Sequence, residues 1–292
     1  MYTGIYQRKP LPIGIEVFGI NLNEPLTEDI VCAIRKDVTK HRLVVFRDQD
    51  KVDGEKQVEI SKWFGEIDNA TYSKHPSSPS VDIFRVSNNP SEGCTGVGMS
   101  GWHIDGTFLD CPYAYSIYHM VSPAVQGGDT MFVPLTQVIE SLDRDKRKRW
   151  DRVWMMSDRR GEVCHPLIYQ HPRTGRPTLC FHQGMTQGFV WDYDICRNEG
   201  AEPQFLSPQE SKILKDEIKN AIDETLVYSH KWQKSGDFVL SDNLAVGHMA
   251  GPIPSSIEEA GLRILHRVTV KGSVSPSKAY GFGFPDISNC AY

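Results

Sequence analysis

The sequence predicts a mainly β fold with flanking helices (α+β), built on a double-stranded β-helix core of the jelly-roll, cupin-like kind. Short strand-like runs recur along the whole chain between Gly- and Pro-containing turns, and only a few segments carry helical periodicity. Composition stays even from end to end, without repeats or low-complexity stretches, so residues 1–292 read as a single domain. The chain is 39% hydrophobic and 24% charged, an ordinary globular composition in a length able to bury a core without staples.

Taken in order, Ile13, Ile15 and Val17 alternate ahead of Gly19 and predict a strand within residues 11–22. Thr27 suits an N-cap, with Glu28 and Asp29 in the first turn and Ile30, Ile34 and Val38 on one helical face. The wholly apolar run Leu43-Val44-Val45-Phe46 predicts a buried strand, and Gln57 to Phe64 a second helix stopped by Gly65. Residues 87–101 are polar and glycine-rich, a loop whose length suggests either a lid over the motif that follows or a disordered insertion. Tyr113 to Val121 alternates like a strand, Gly127-Gly128-Asp129 turns into another from Thr130 to Val133, and Val138 to Leu142 reads as helical. Strands at 167–169 and 178–181 flank a turn from His171 to Arg176 and form a hairpin. Ser207 to Glu224 is the clearest helix, with Pro208 in its first turn and Ile213, Leu214, Ile218 and Ile222 on one face. Phe238-Val239-Leu240 and Leu262 to Val270 supply the last strands.

Several function classes recede on composition. A net charge of -5 and a pI of about 6.1 leave no basic footprint for nucleic acid, and Arg144 to Arg149 reads as a solvated helix end. No apolar run reaches the roughly 18 residues of a membrane span, and the N-terminus lacks a signal-peptide pattern. Seven scattered cysteines without a C-x-x-C pair suit reduced thiols in a cytoplasmic protein, not a disulfide framework or a zinc site. A homo-oligomer stays open.

The chemistry centres on Gly101-Trp102-His103-Ile104-Asp105-Gly106-Thr107-Phe108. On an extended strand His103 and Asp105 share a face while Ile104 takes the other. An imidazole beside a carboxylate supplies two ligands of the facial triad that holds non-haem Fe(II); the third is another His delivered by the fold. Alone, H-x-D also fits a surface His beside a solvated Asp. Two further features give it weight: His248, just after a strand, and Arg263 and Arg267, which share a strand face with Leu265. An arginine fork suits the distal carboxylate of a 2-oxo acid.

With these residues in place, the chain resembles the TauD/TfdA family of Fe(II)/2-oxoglutarate-dependent dioxygenases almost end to end. The resemblance runs through Leu43-Val44-Val45-Phe46-Arg47-Asp48-Gln49, Phe64-Gly65-Glu66, Trp102 to Phe108, Gly127-Gly128-Asp129-Thr130, His165-Pro166-Leu167, His171-Pro172, Asp242-Asn243, His248-Met249-Ala250 and Arg263 to Thr269. It implies His103, Asp105 and His248 as iron ligands and Thr130 and Arg263 on the distal carboxylate of 2-oxoglutarate. It places Arg267 near the cosubstrate, facing the acidic group of the substrate. It further implies that 2-oxoglutarate and O2 become succinate and CO2 while a C–H bond of a small or medium anionic substrate is oxidised. Because Asp105 keeps the carboxylate that related halogenases lack, hydroxylation is the default outcome. Desaturation, cyclisation or carbon–heteroatom cleavage in biosynthesis is the alternative within the class, and a metal-binding cupin-like protein without turnover the alternative outside it.

The resemblance thins in the substrate pocket. Where taurine enzymes place a His and a Tyr after Phe-Gly-Glu, an ungapped reading puts Ala70 and Ser73, with Tyr72 or His75 able to substitute. Gly101 replaces an Asn, and Met185 stands where an aromatic is expected. His119, His165, His171, His182 and His266 read as structural.

Overall fold

Period-two sorting of apolar side chains builds the two faces of the main sheet. The computed structural model describes residues 6–72, 74–158 and 163–278. It contains β1 (Gln7–Pro10), β2 (Ile15–Phe18), α1 (Glu28–His41), β3 (Leu43–Phe46), α2 (Gly54–Lys62), β4 (Phe84–Ser87), β5 (Tyr115–Ser122) and β6 (Thr130–Pro134). There follow α3 (Leu135–Glu140), α4 (Arg144–Asp151), β7 (Val153–Ser157), β8 (Cys164–Pro166), β9 (Ile168–Gln170), β10 (Pro177–Leu179), β11 (Thr186–Trp191), α5 (Tyr193–Glu199) and β12 (Gln204–Phe205). The chain closes with α6 (Pro208–Asp223), β13 (Tyr228–His230), β14 (Phe238–Asp242), β15 (Val246–Ala250), α7 (Ile257–Ala260) and β16 (Ile264–Val270).

The main sheet runs β1-β2-β3-β14-β5-β16-β4, and a smaller sheet runs β13-β6-β15. All pairs are antiparallel except β2 with β3. Val44, Phe46, Ile117 and Leu240 face α1 and α2, packing on Ile34, Val38 and Ile60. Their strand neighbours Val45, Tyr118, Met120 and Val239 face the opposite way and pack with Phe132 and Val246 of the smaller sheet. This sandwich is the mainly β jelly roll that the sequence predicts. Phe132 is fully buried between the sheets, and truncating such a ring typically costs about 3–5 kcal/mol. Between β6 and β13 the chain adds α3 to α6 with β7 to β12, which bury a third apolar cluster around Trp150, Phe189 and Ile218.

Several local expectations are corrected. The strand expected within 11–22 starts only at Ile15, and β1 pairs with it through Pro10↔Ile15. Thr27 takes the N-cap backbone conformation, but its side chain makes no capping bond. The basic run 144–149 is no helix end: it forms α4, capped by the Asp143 carboxylate accepting from the N–H of Asp145 and Lys146. Ile213 is exposed, because α6 turns Leu214, Ile218, Ala221 and Ile222 inward; its N-terminus is closed by a Ser207/Glu210 capping box. The segment expected as a strand around His103 is only an isolated bridge, and the backbone turns immediately after Asp105. The 87–101 loop is tied down: the Cys94 N–H donates to Arg85 O (2.9 Å), and the Ala250 N–H to Gly98 O (2.9 Å). No helix among the described residues is long and apolar enough to cross a membrane.

Candidate metal centre

His103 is held between two parts of the fold. Its backbone exchanges hydrogen bonds with His248 of β15 (N to O 3.1 Å, O from N 2.9 Å), and a bridge to His182 lies on its other side. The pairing sets the His103 and His248 rings 4.3 Å apart, and Asp105 follows two residues on. One ligand atom from each of His103, Asp105 and His248 lies within 4.8 Å of the other two, and all three residues are buried. The strand geometry expected for H-x-D is absent, yet the convergence it was meant to explain is present. The turn after Asp105 and the bridge to β15 produce it instead.

The protonation states suit ligation. His103 Nδ1 lies 2.7 Å from Gly101 O, which can only accept, so Nδ1 carries the proton and Nε2 keeps its lone pair. Gly101 suits this turn: its φ of 97° is in the left-handed region, and Gln183 packs where a Cβ would stand. Burial first, then the neighbouring His248 and His182 rings, keep the His103 pKa well below the ordinary histidine value. His248 Nε2 is buried, makes no hydrogen bond and lies 3.5 Å from Asp105 Oδ2. Burial would push the Asp105 carboxyl up, but Arg267 and His248 outweigh it and hold the group well below the usual carboxylate range. Two imidazoles and one carboxylate, brought together in a buried site, are a donor set that fits Fe(II).

Hydrogen bonds from distant parts of the chain support these ligands. Ser116 Oγ donates to Asp105 Oδ2 (2.7 Å), and Arg267 Nη1 donates to Asp105 Oδ1 (2.8 Å). Asn243, fully buried, clamps the Asp105 backbone: its Oδ1 accepts from Asp105 N (2.8 Å), and its Nδ2 donates to Asp105 O (3.0 Å) and Tyr113 O (2.7 Å). The His182 ring stacks on His103 at 4.5 Å. Ser116, Asn243 and His182 have no motif of their own; only Asp242-Asn243 stood out, as part of the resemblance.

Arg263 lies beside the turn that leads into Thr130 and β6. Arg263 Nε donates to Gly128 O (2.9 Å), which fixes the guanidinium beside the start of β6. No carboxylate among the described residues pairs with it, and burial pulls its pKa down to about 10. Thr130 Oγ1 accepts from Trp232 Nε1 (3.1 Å). The Arg263 guanidinium, which makes no ion pair among the described residues, and the Thr130 hydroxyl are candidate groups for an anion cradle.

Arg267 is buried and engaged with Asp105, with its guanidinium over the rings of Tyr72 (4.9 Å) and Phe84 (5.0 Å). Its Nε has no partner. Tyr72 therefore lies at the centre, with Phe108 edge-on to it at 6.3 Å. His75 does not: it is half-buried at the protein surface, with Nε2 3.1 Å from Pro90 O and Nδ1 accepting from Ser77 N. Met185 sits beyond His182, whose Nδ1 accepts the Met185 N–H (3.1 Å). Tyr118, directly opposite Arg267 in the sheet register, brings a fully buried phenol with no hydrogen-bond partner against His248.

Comparison with known proteins identifies the family. The model of the family described as taurine catabolism dioxygenase TauD, TfdA family, matches residues 7–269. The chain is 25% identical over 291 residues to the alpha-ketoglutarate-dependent sulfate ester dioxygenase of Pseudomonas putida, covering 90% of this chain and 87% of that protein. It is 24% identical over 243 residues to the 3-((Z)-2-isocyanoethenyl)-1H-indole synthase of Fischerella ambigua, covering 79% and 82%. The crystal structure of a taurine dioxygenase from Burkholderia xenovorans superposes with a TM-score of 0.73 at 26% identity, covering 94% of this chain and 91% of that one.

Proposed function

The chain belongs to the TauD/TfdA family of dioxygenases, and from that premise we propose that its His103, Asp105 and His248 hold Fe(II) for oxidation of a small or medium anionic substrate. The enzyme class is that of its relatives: an Fe(II)- and 2-oxoglutarate-dependent dioxygenase. One observation carries the site assignment. Three ligand atoms of the right kinds, on buried residues, lie within 4.8 Å of one another.

When bound, the iron supplies the oxidising chemistry that turns 2-oxoglutarate and O2 into succinate and CO2 while a substrate C–H bond is oxidised. The remaining work falls to side chains. Gly101 O holds the His103 tautomer, and Ser116, Arg267 and Asn243 fix the carboxylate and backbone of Asp105. Arg263 and Thr130 orient 2-oxoglutarate by its distal carboxylate, the guanidinium offering a fork and the hydroxyl one proton. Arg267, with Nε unpartnered, faces the acidic group of the substrate, and Tyr72 and Phe108 wall that side. Met185 borders the opposite side, and His75 contributes only through the loop it anchors. We assign 87–101 as a lid over this pocket; its hydrogen bond to β15, the strand of His248, supports that role. We further assign residues 1–292 to one catalytic unit working in the cytoplasm.

A sulfate ester or a sulfonate is the substrate class we favour, since relatives are named for each and a buried arginine suits a singly charged oxyanion. Hydroxylation is the default outcome. The isonitrile-forming relative supports a second reading, in which the same centre desaturates a biosynthetic intermediate. The test is turnover coupled to succinate release across a panel of sulfate esters, sulfonates, carboxylates and isonitrile precursors. Gain of one oxygen supports hydroxylation and loss of two hydrogens supports desaturation. Asp105→Ala and His248→Ala should abolish iron-dependent turnover; retained activity in either would remove the triad assignment.

A further inference from the structure

We infer that Trp232 is a positioning residue for 2-oxoglutarate: its indole N–H holds the Thr130 hydroxyl as an acceptor, so that the single Thr130 proton is directed at the distal carboxylate of the cosubstrate. The inference rests on the assignment of Thr130 and Arg263 to that carboxylate.

The direction of the bond is unambiguous. Trp Nε1–H can only donate, whereas a threonine hydroxyl has one proton and two lone pairs. Trp232 Nε1 stands 3.1 Å from Thr130 Oγ1, so a lone pair of that oxygen is engaged and its proton is left over. Among the described residues, no acceptor is recorded for that proton, although Thr130 is only 6% exposed. A buried donor without an acceptor is costly unless a ligand supplies one. Accepting from the indole also polarises the hydroxyl and strengthens it as a donor. The guanidinium of Arg263, fixed on Gly128 O two residues before Thr130, marks the ligand as anionic.

The fold holds the indole in place through the same strand that pairs with Thr130. His230 lies opposite Thr130 in the register of β13 on β6. Its ring meets the Trp232 ring perpendicularly, with centroids 4.5 Å apart and planes at 86°, and its Nδ1 is 3.1 Å from Tyr228 Oη. Trp232 is also part of the apolar layer between the sheets, so a packing role must be separated from a hydrogen-bonding one.

A double-mutant cycle on the iron-loaded protein under argon separates them. The readouts are the 2-oxoglutarate Kd, from titration of the visible charge-transfer band, and the thermal midpoint. Trp232→Phe keeps the ring and removes the donor; Thr130→Val removes the hydroxyl, and Thr130→Ser restores it. Trp232→Phe should raise the Kd roughly three- to tenfold in the wild-type and Thr130→Ser backgrounds. It should change the Kd less than about twofold in the Thr130→Val background, with Fe(II) affinity unchanged throughout. Two outcomes would overturn the inference and leave the cradle standing. In one, Trp232→Phe has the same effect with and without the hydroxyl; in the other, it has none while Thr130→Val weakens binding. If neither Thr130→Val nor Arg263→Leu weakens 2-oxoglutarate, the cradle assignment itself falls and the inference goes with it.

Discussion

Replacing Asn243 with Ala should loosen the metal centre from a position that touches no ligand side chain. The residue is fully buried and makes three hydrogen bonds, two to the Asp105 backbone and one to Tyr113 O, with lengths of 2.7–3.0 Å. Each is worth about 1 kcal/mol net, and truncation also leaves one N–H and two carbonyls unpaired in a dry interior. The sum is about 3–6 kcal/mol, a large fraction of the 5–15 kcal/mol that ordinarily separates native from unfolded protein. In a chain of this size it corresponds to a fall in Tm on the order of 10 °C. Because the clamp fixes the peptide that carries Asp105, Fe(II) affinity should fall about 10- to 100-fold as well. Urea unfolding of the apoprotein and competitive Fe(II) titration measure the two effects separately. Asn243→Asp, which sets a buried carboxylate against the two carbonyl oxygens, should be at least as destabilising as Ala. A stability loss below about 1 kcal/mol with unchanged Fe(II) affinity would refute the clamp.

Other outcomes follow from the same geometry. Arg263→Leu should raise the 2-oxoglutarate requirement about 100-fold, through loss of charge-assisted bonds worth roughly 3 kcal/mol, and leave the prime-substrate KM nearly unchanged; the reverse pattern in steady-state kinetics would exchange the roles of Arg263 and Arg267. Stability should decline with acid between about pH 6.5 and 3. Burial, aided by Arg47 at His230 and by Arg85 and His119 at His266, lowers both rings to about 3 in the folded state. In that window the unfolded chain binds protons that the folded chain refuses, which costs up to roughly 1.4 kcal/mol per pH unit for each ring. Urea midpoints at pH 7 and pH 5 should show the loss, and His230→Phe should reduce it; a flat profile would contradict the buried neutral rings. Ser116→Ala should lower Fe(II) affinity several-fold without changing the 2-oxoglutarate Kd measured at saturating iron.

What could be read from the sequence was local or regularly spaced. Leu43 to Phe46 announces a buried strand because four apolar residues in a row have no solvated face, and all four are buried. The hairpin around His171 to Arg176 is legible because its turn residues lie between two short apolar runs, and β9 and β10 pair there. His103, Asp105 and His248 were identified as a set through residue type, spacing and resemblance. The route by which they meet was not, since His103 lies in an isolated bridge and not in a regular strand. Helical spacing alone does not say where the apolar stripe of α6 ends, so Ile213 reads as buried although it is exposed. The contacts of the supporting groups are illegible for a different reason. Asn243 reaches Asp105 across 138 residues, Arg267 reaches it across 162, and Trp232 reaches Thr130 across 102, separations at which no local pattern exists. The β-structure brings these partners together, and only its register reveals them.

The central claim is that three buried ligands and an anion cradle assemble one Fe(II)/2-oxoglutarate centre. Anaerobic addition of Fe(II) and then 2-oxoglutarate to the folded apoprotein, followed in the visible, tests it most directly. A weak metal-to-ligand charge-transfer band should appear, saturate with 2-oxoglutarate, disappear in His248→Ala, and shift when an accepted anionic substrate is added. A folded, iron-loaded protein that gives no band at saturating 2-oxoglutarate would contradict it.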